Sequence, residues 1–304
     1  MKRILLLCVT TILLTLCACG GGAAPEENPT PSAAPEDVYV YLIGGQSNAA
    51  GNGYIMDLSE EERAITYEHV FFYAGGDCLN PVCKDQLMRV SAEKGQGHYA
   101  YSFGLEIGMA KVFTEEYGKD GVKRAIIKYA YDGSSIKSLS DGRDWNVYDD
   151  AGTGAHYTQF IEVVQAGLQA LRAEGYNPVI KGMAWMQGET DYLVKDYEAR
   201  LKALRDKVRV DLQAPQMYFV MGEIAYQNYG KQNYVNKAIW AISEEEPALC
   251  SFVACGKIAP RLKASECPAQ QTATGGPFDN LHWSGENLVE IGRMFGNAFV
   301  TLGK

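Results

Sequence analysis

The chain has 304 residues, 47% of them hydrophobic and 21% charged, with a formal net charge of −9 at pH 7. An acidic chain without a basic run is a poor partner for nucleic acid, whose phosphates must be neutralised by Lys and Arg, so nucleic-acid binding is excluded. The same charge weighs against an anionic polymer as preferred substrate, unless a local basic pocket overrides it.

The chain opens with Lys2 and Arg3, followed by an apolar run from Ile4 to Leu16. That run falls short of the roughly 20 residues a membrane span needs, but it suits the core of a signal peptide. It ends at Leu16-Cys17-Ala18-Cys19, which resembles a bacterial lipobox cut before a cysteine that then carries the lipid. Residues 1–18 are therefore expected to be a signal peptide, with Cys19 as the lipidation site. The expected location is the bacterial cell envelope, with the membrane reached only through the lipid. Removing Lys2 and Arg3 takes the net charge from −9 to −11. Residues 19–36, rich in Gly, Ala, Pro and Glu, have little apolar surface to bury and read as a flexible tether. Residues 37–304 have globular composition and suit one α/β domain.

Beyond the leader, five cysteines remain: Cys78, Cys83, Cys250, Cys255 and Cys267. An exported chain permits disulfides. Cys78 and Cys83 flank an Asn80-Pro81 turn and are expected to pair. Cys255 with Cys267 is a second expected pair, leaving Cys250 in a buried strand. No spacing of metal-site type occurs, so neither metal nor other cofactor is expected.

Val38 to Ile43 is a near-continuous run of β-formers, read as a buried strand ending at Gly44-Gly45. Val70 to Tyr73 is a shorter strand. Tyr101 to Tyr117 reads as a helix closed by Gly118, and Lys123 to Tyr131 as the next strand. Phe160, Val164, Leu168 and Leu171 recur at helical spacing, and Gly175 ends that helix. Pro178 to Met186 is a strand running into Gln187-Gly188. Leu193, Tyr197, Leu201, Leu204, Val208 and Leu212 form one apolar helical stripe, stopped by Pro215. A strand at Met217 to Met221, a helix at Asn233 to Ser243, a strand at Cys250 to Ala254 and a helix at Asn287 to Val300 complete the order. Strands alternating with helices predict a parallel sheet with helices on both faces, and ligands in such sheets sit beyond the carboxyl ends of the strands.

The chemistry-bearing residues fall at those ends. Ser47 follows the first strand within Gly44-Gly45-Gln46-Ser47-Asn48-Ala49-Ala50-Gly51, where flanking glycines allow a tight turn that frees the hydroxyl. Ala49 rules out the G-x-S-x-G elbow. Near the C-terminus, Asp279-Asn280-Leu281-His282 places a carboxylate three residues before an imidazole, the pair a serine needs to become a nucleophile. His69, His98 and His156 have no acid at that spacing on their C-terminal side. Gly133, in Asp132-Gly133-Ser134-Ser135-Ile136, can offer a backbone N–H. Gln187, in Trp185-Met186-Gln187-Gly188-Glu189-Thr190-Asp191, can offer a side-chain amide. With the Ser47 N–H these make three candidate donors to an oxyanion.

Together these blocks resemble the SGNH hydrolase superfamily, and within it the sialate O-acetylesterase and acetylxylan-esterase branch of carbohydrate esterases. The matching blocks are GQSNAAG from Gly45 to Gly51, GSSI from Gly133 to Ile136, WMQGETD from Trp185 to Asp191, and DNLH from Asp279 to His282. The resemblance implies a three-layer, flavodoxin-like α/β sandwich with a central parallel sheet flanked by helices. It implies Ser47 as nucleophile, His282 as base and Asp279 as its orienter, with Ser47 N–H, Gly133 N–H and the Gln187 amide as the oxyanion hole. Gln187 stands where the superfamily usually has Asn, a replacement this branch shares. Asp191 is expected to cap a helix beginning near Tyr192, and Glu189 to brace Gln187 or the nucleophile loop from behind. The expected substrate is an acetylated oligo- or polysaccharide of acetylxylan or sialic-acid type. Trp145, Tyr148 and Tyr157, or the Gly95 to Tyr101 loop, are candidate pocket walls, with plain packing as the competing role. The rival functions are a glycan-binding lipoprotein without turnover and an esterase for other short acyl esters. Oligomeric state is left open.

Overall fold

Strand β1 (Glu36–Gly45) is apolar on both sides because both of its faces are covered. Val38, Val40 and Leu42 belong to one buried cluster, and Tyr41 and Ile43 to the other. The computed structural model describes residues 34–76, 82–260 and 281–304, with the backbone alone of 262–263 and 278–279. The expected signal peptide, Cys19, most of the tether, Cys78, the Asn80-Pro81 turn and Cys267 lie outside the described residues.

The sheet continues with β2 (Thr66–Ala74), β3 (Met88–Ser91), β4 (Lys123–Ala130), β5 (Tyr176–Met186), β6 (Tyr218–Gly222) and β7 (Cys250–Val253). Their spatial order is β3-β2-β4-β1-β5-β6-β7. Every neighbouring pair is parallel except β2 with β3, which is antiparallel at the edge. The sheet carries helices on both faces, the three-layer α/β sandwich expected. After the one-turn α1 (Ser47–Ala50), the helices longer than one turn are α2 (Leu105–Tyr117), α3 (Ala155–Ala173), α4 (Tyr197–Asp211), α5 (Tyr234–Glu245) and α6 (Gly285–Leu302). Residues of α3, α4 and α5 join the cluster of Val38, Val40 and Leu42, whereas α2 and α6 pack on the side of Tyr41 and Ile43. Helices α2 and α6 meet through glycines. A Cβ on Gly108 would lie 2.1 Å from the Val289 carbonyl oxygen, and one on Gly292 would lie 2.3 Å from that of Leu105.

Two helix starts and one expected disulfide differ from expectation. Helix α2 starts at Leu105 rather than Tyr101, because Ser102–Phe103 pairs as a short strand with Gly53–Tyr54. Helix α4 starts at Tyr197, and Leu193, the expected first member of its stripe, is 67% exposed in the preceding turns. Cys255 does not form the second expected disulfide. It is a buried thiol whose Sγ donates to the Glu223 carbonyl at 3.1 Å. Cys250 lies buried at the start of β7, as expected.

The register sets up the site. Gly45 at the end of β1 sits level with Ala130 of β4 on one side and Met186 of β5 on the other. The residues just beyond these three strand ends, including Ser47, Gly133 and Gln187, therefore emerge side by side.

Candidate active site

The turn after β1 is held from below. Gly45 has φ +143°, and a Cβ there would meet the Met186 carbonyl oxygen at 2.0 Å, so only glycine lets β1 leave the sheet this close to β5. The Gln46 N–H donates to Met186 O at 3.0 Å, and Gln46 Oε1 accepts from the Gly188 N–H at 3.3 Å. Ser47 then opens α1, and the Gly51 N–H closes it onto Ser47 O at 2.9 Å. Beneath α1, Lys128 of β4 is buried and uses all three of its protons. They go to Ala50 O at 3.0 Å, Gln96 O at 2.6 Å and Glu106 Oε2 at 2.9 Å. Glu106 Oε1 in turn accepts from the Gly104 N–H at 2.6 Å.

Ser47, Gly133 and His282 line one cavity of about 270 Å³, together with Asp132, Glu189 and Tyr229. Five separate chain segments thus meet at the carboxyl edge of the sheet, four of them carrying expected site residues. Among the described residues, neither the Ser47 N–H nor the Gly133 N–H donates to a protein acceptor. A residue at the first position of a helical turn has no intrahelical acceptor, and Gly133 reaches its position with φ +63°. Asp279 lies in a two-residue strand and pairs antiparallel with Leu262; its side chain is outside the described residues.

Gln187 departs from expectation. Its Nε2 donates to Ser134 O at 2.9 Å and Asp191 Oδ2 at 2.6 Å, and its Oε1 accepts from the Tyr197 hydroxyl at 2.8 Å. Both amide protons are committed, the side chain is fully buried, and none of it faces the cavity. It is a strut beneath the Gly133 loop rather than a donor to an oxyanion.

Asp191 is the strut's partner and does not cap a helix. Its carboxylate accepts from Ser135 Oγ at 2.6 Å, the Ile136 N–H at 2.7 Å and Gln187 Nε2. The WMQGETD block therefore clasps the GSSI block and holds Gly133 at the cavity. Burial pushes the Asp191 carboxyl above its ordinary range, against the pull of those three donors.

Glu189 is hydrogen-bonded to the turn that carries Ser47. Its Oε1 accepts from Asn48 Nδ2 at 2.6 Å, while Oε2 is buried with no hydrogen-bond donor among the described residues. Desolvation raises its carboxyl above the ordinary range, and the Asn48 bond and the nearby His282 charge draw it partly back. Asn48 also donates to Leu281 O at 3.2 Å and accepts from the Trp283 N–H at 3.4 Å, so one amide spans the Ser47, Glu189 and His282 segments.

Sequence reasoning did not single out Asn48, Asp132 or Tyr229. The signal was position: Asn48 and Asp132 adjoin expected site residues, and Tyr229 follows the carboxyl end of β6. The expected aromatic walls are elsewhere. Trp145 and Tyr157 are buried in the core around α3, and neither they nor Tyr148 lines the cavity. No residue of the Gly95 to Tyr101 loop lines the cavity, but His98 Nδ1 lies 3.2 Å from Oδ1 of the lining residue Asp132.

Several solved structures share the fold. A protein from Arabidopsis thaliana is similar with a TM-score of 0.58 at 18% identity, covering 88% of this chain and 98% of its own. NanS is similar with a TM-score of 0.60 at 17% identity, covering 89% and 98%. XAC1771, a carbohydrate acetylesterase from Xanthomonas citri, is similar with a TM-score of 0.55 at 16% identity, covering 87% and 57%. No curated protein was found to match the chain. Residues 37–301 match the SASA family, described as carbohydrate esterase, sialic acid-specific acetylesterase, and the chain belongs to this family of carboxylic ester hydrolases.

Proposed function

We propose that this protein is a serine esterase that removes O-acetyl groups from carbohydrate, with Ser47 as nucleophile, His282 as base and Asp279 as the carboxylate that orients it. The observation that carries the reading is the shared cavity of Ser47, His282 and Gly133. Ser47 Oγ attacks the acetyl carbonyl as His282 takes its proton, and the carbonyl electrons move onto oxygen. The N–H groups of Ser47 and Gly133 receive that oxyanion. Its collapse breaks the ester bond, and the sugar oxygen leaves with the proton from His282. Water, deprotonated by His282, then attacks the acetyl-serine and releases acetate.

The cavity volume of about 270 Å³ accommodates an acetyl group. Export and anchoring through a lipid on Cys19, with residues 1–18 removed and 19–36 as tether, belong to the same reading and rest on the leader sequence. The decisive experiment is hydrolysis of 4-nitrophenyl acetate and of the matching octanoate. Wild type should favour the acetate, and Ser47→Ala should reduce kcat by at least about a thousandfold. Undiminished turnover by Ser47→Ala would end the reading.

A further inference from the structure

The cavity's electrostatics bear on which sugar it accepts. Two of its lining side chains are carboxylates, Asp132 and Glu189, and no described lining residue is Lys or Arg. Recognition of a sugar carboxylate calls for the opposite, a guanidinium fork or an ammonium. The two acids also differ in availability. Glu189 Oε1 is taken by Asn48, and its Oε2 is buried. Asp132 also lines the cavity and is about one-third exposed, with Oδ1 its buried oxygen.

Asp132 is also held in place. His98 is buried, and its Nδ1 lies 3.2 Å from Asp132 Oδ1, so the ring packs directly against that carboxylate. The His98 backbone N–H donates to Gly51 O at 2.8 Å, and its ring stands edge-on to Tyr99 with centroids 4.2 Å apart. His98 thus ties the end of the nucleophile turn to the residue preceding Gly133. Tyr229 supplies an aromatic surface to the same cavity.

We propose that this cavity selects a neutral acetylated sugar. The Asp132 carboxylate accepts a hydrogen bond from a sugar hydroxyl, His98 positions that carboxylate, and Tyr229 packs on the ring face. A sugar bearing its own carboxylate is turned away by Asp132 and Glu189. This rests on the esterase reading above and departs from the sialic-acid substrate in the family's description.

The test compares kcat/KM for wild type, Asp132→Asn and His98→Asn on three substrates. They are an O-acetylated methyl xyloside (neutral), O-acetylated N-acetylneuraminic acid (anionic) and 4-nitrophenyl acetate (no sugar). Wild type should prefer the neutral sugar by about tenfold or more, an ordinary size for one unfavourable charge contact. Asp132→Asn should shrink that preference, chiefly through KM, and lower neutral-sugar turnover more than nitrophenyl-ester turnover. His98→Asn should move the preference in the same direction by less, because it acts through Asp132. Turnover of the nitrophenyl ester without preference between the sugars, or a preference untouched by Asp132→Asn, overturns the charge selection alone. Failure of wild type on all three substrates overturns the esterase reading and this inference with it.

Discussion

Asn48 Nδ2 lies 2.6 Å from Glu189 Oε1, and this bond ties the turn that carries Ser47 to the loop leaving β5. The same amide reaches Leu281 O and the Trp283 N–H on either side of His282. One buried side chain therefore sets the spacing between the Ser47 turn and the His282 segment. Asn48→Ala should lower kcat by about 10- to 100-fold, since small misplacements of reacting groups cost on that scale. It should also destabilise the fold by about 1–3 kcal/mol, because it strips the donor from a buried carboxylate. Asn48→Asp should be worse, with two carboxylates at hydrogen-bond distance. Steady-state kinetics and thermal melts separate the outcomes; a lowered Tm with kcat intact would reduce Asn48 to a structural role.

The four motif blocks were legible because each job demands a narrow residue type at a strand end, and β1, β4 and β5 announce their ends with glycine or a polar turn. What a residue type does not reveal is where it points. Gln187 has the right group for an oxyanion donor, yet Ser134, Asp191 and Tyr197 saturate it from below. Asp191 matches a helix cap by composition, but the helix it was assigned to begins only at Tyr197. Strand β3, four residues at the sheet edge with no alternating pattern, left too little periodicity to read. Asp132 and Tyr229 gain their significance from neighbours distant in sequence.

The clasp between the third and second motif blocks yields a coupling prediction. Gln187 and Asp191 share one hydrogen bond and hold the same loop. Gln187→Ala and Asp191→Ala should each lower Tm and kcat by displacing Gly133. The double variant should lose less than the two single losses combined, since contacting residues depart from additivity by about 0.5–3 kcal/mol. Denaturant melts of the four proteins measure the coupling. Additivity would mean that the two side chains act independently, against the geometry of the strut.

The buried ion pair under α1 separates stability from positioning. Lys128 and Glu106 are both nearly inaccessible to water. Lys128→Met leaves the Glu106 carboxylate uncompensated and should cost about 3–5 kcal/mol, whereas Lys128→Met with Glu106→Leu should recover part of that loss. Activity should not recover with it. Ala50 O and Gln96 O still lack their donor in the double variant, so the Ser47 turn loses its anchor. Tm and kcat on 4-nitrophenyl acetate are the readouts. Parallel recovery of both would show that the pair serves only the fold.

Glu189 opposes stability to function in a way that pH exposes. Burial is the largest influence on its carboxyl and raises it above the ordinary range, so the folded chain keeps this proton at a pH where the unfolded chain has released it. The unfolded chain therefore binds fewer protons, and Glu189 subtracts stability as pH rises from the unfolded carboxylate range through the raised folded value. Glu189→Gln removes that loss. Relative to wild type, the variant should gain Tm as pH rises from the unfolded carboxylate range into the raised folded range. Catalysis should move the other way. His282 is one of the groups that draw the Glu189 carboxyl down, and under the proposed mechanism the same attraction supports the ring as it accepts the Ser47 proton. Loss of that attraction should lower kcat by about tenfold or more at neutral pH, a typical contribution for one electrostatic partner. Thermal melts across the pH range, paired with kcat at pH 7, check both halves. A Tm difference that stays flat with pH would place the Glu189 carboxyl in its ordinary range, and an unchanged kcat would leave the carboxylate no part in supporting His282.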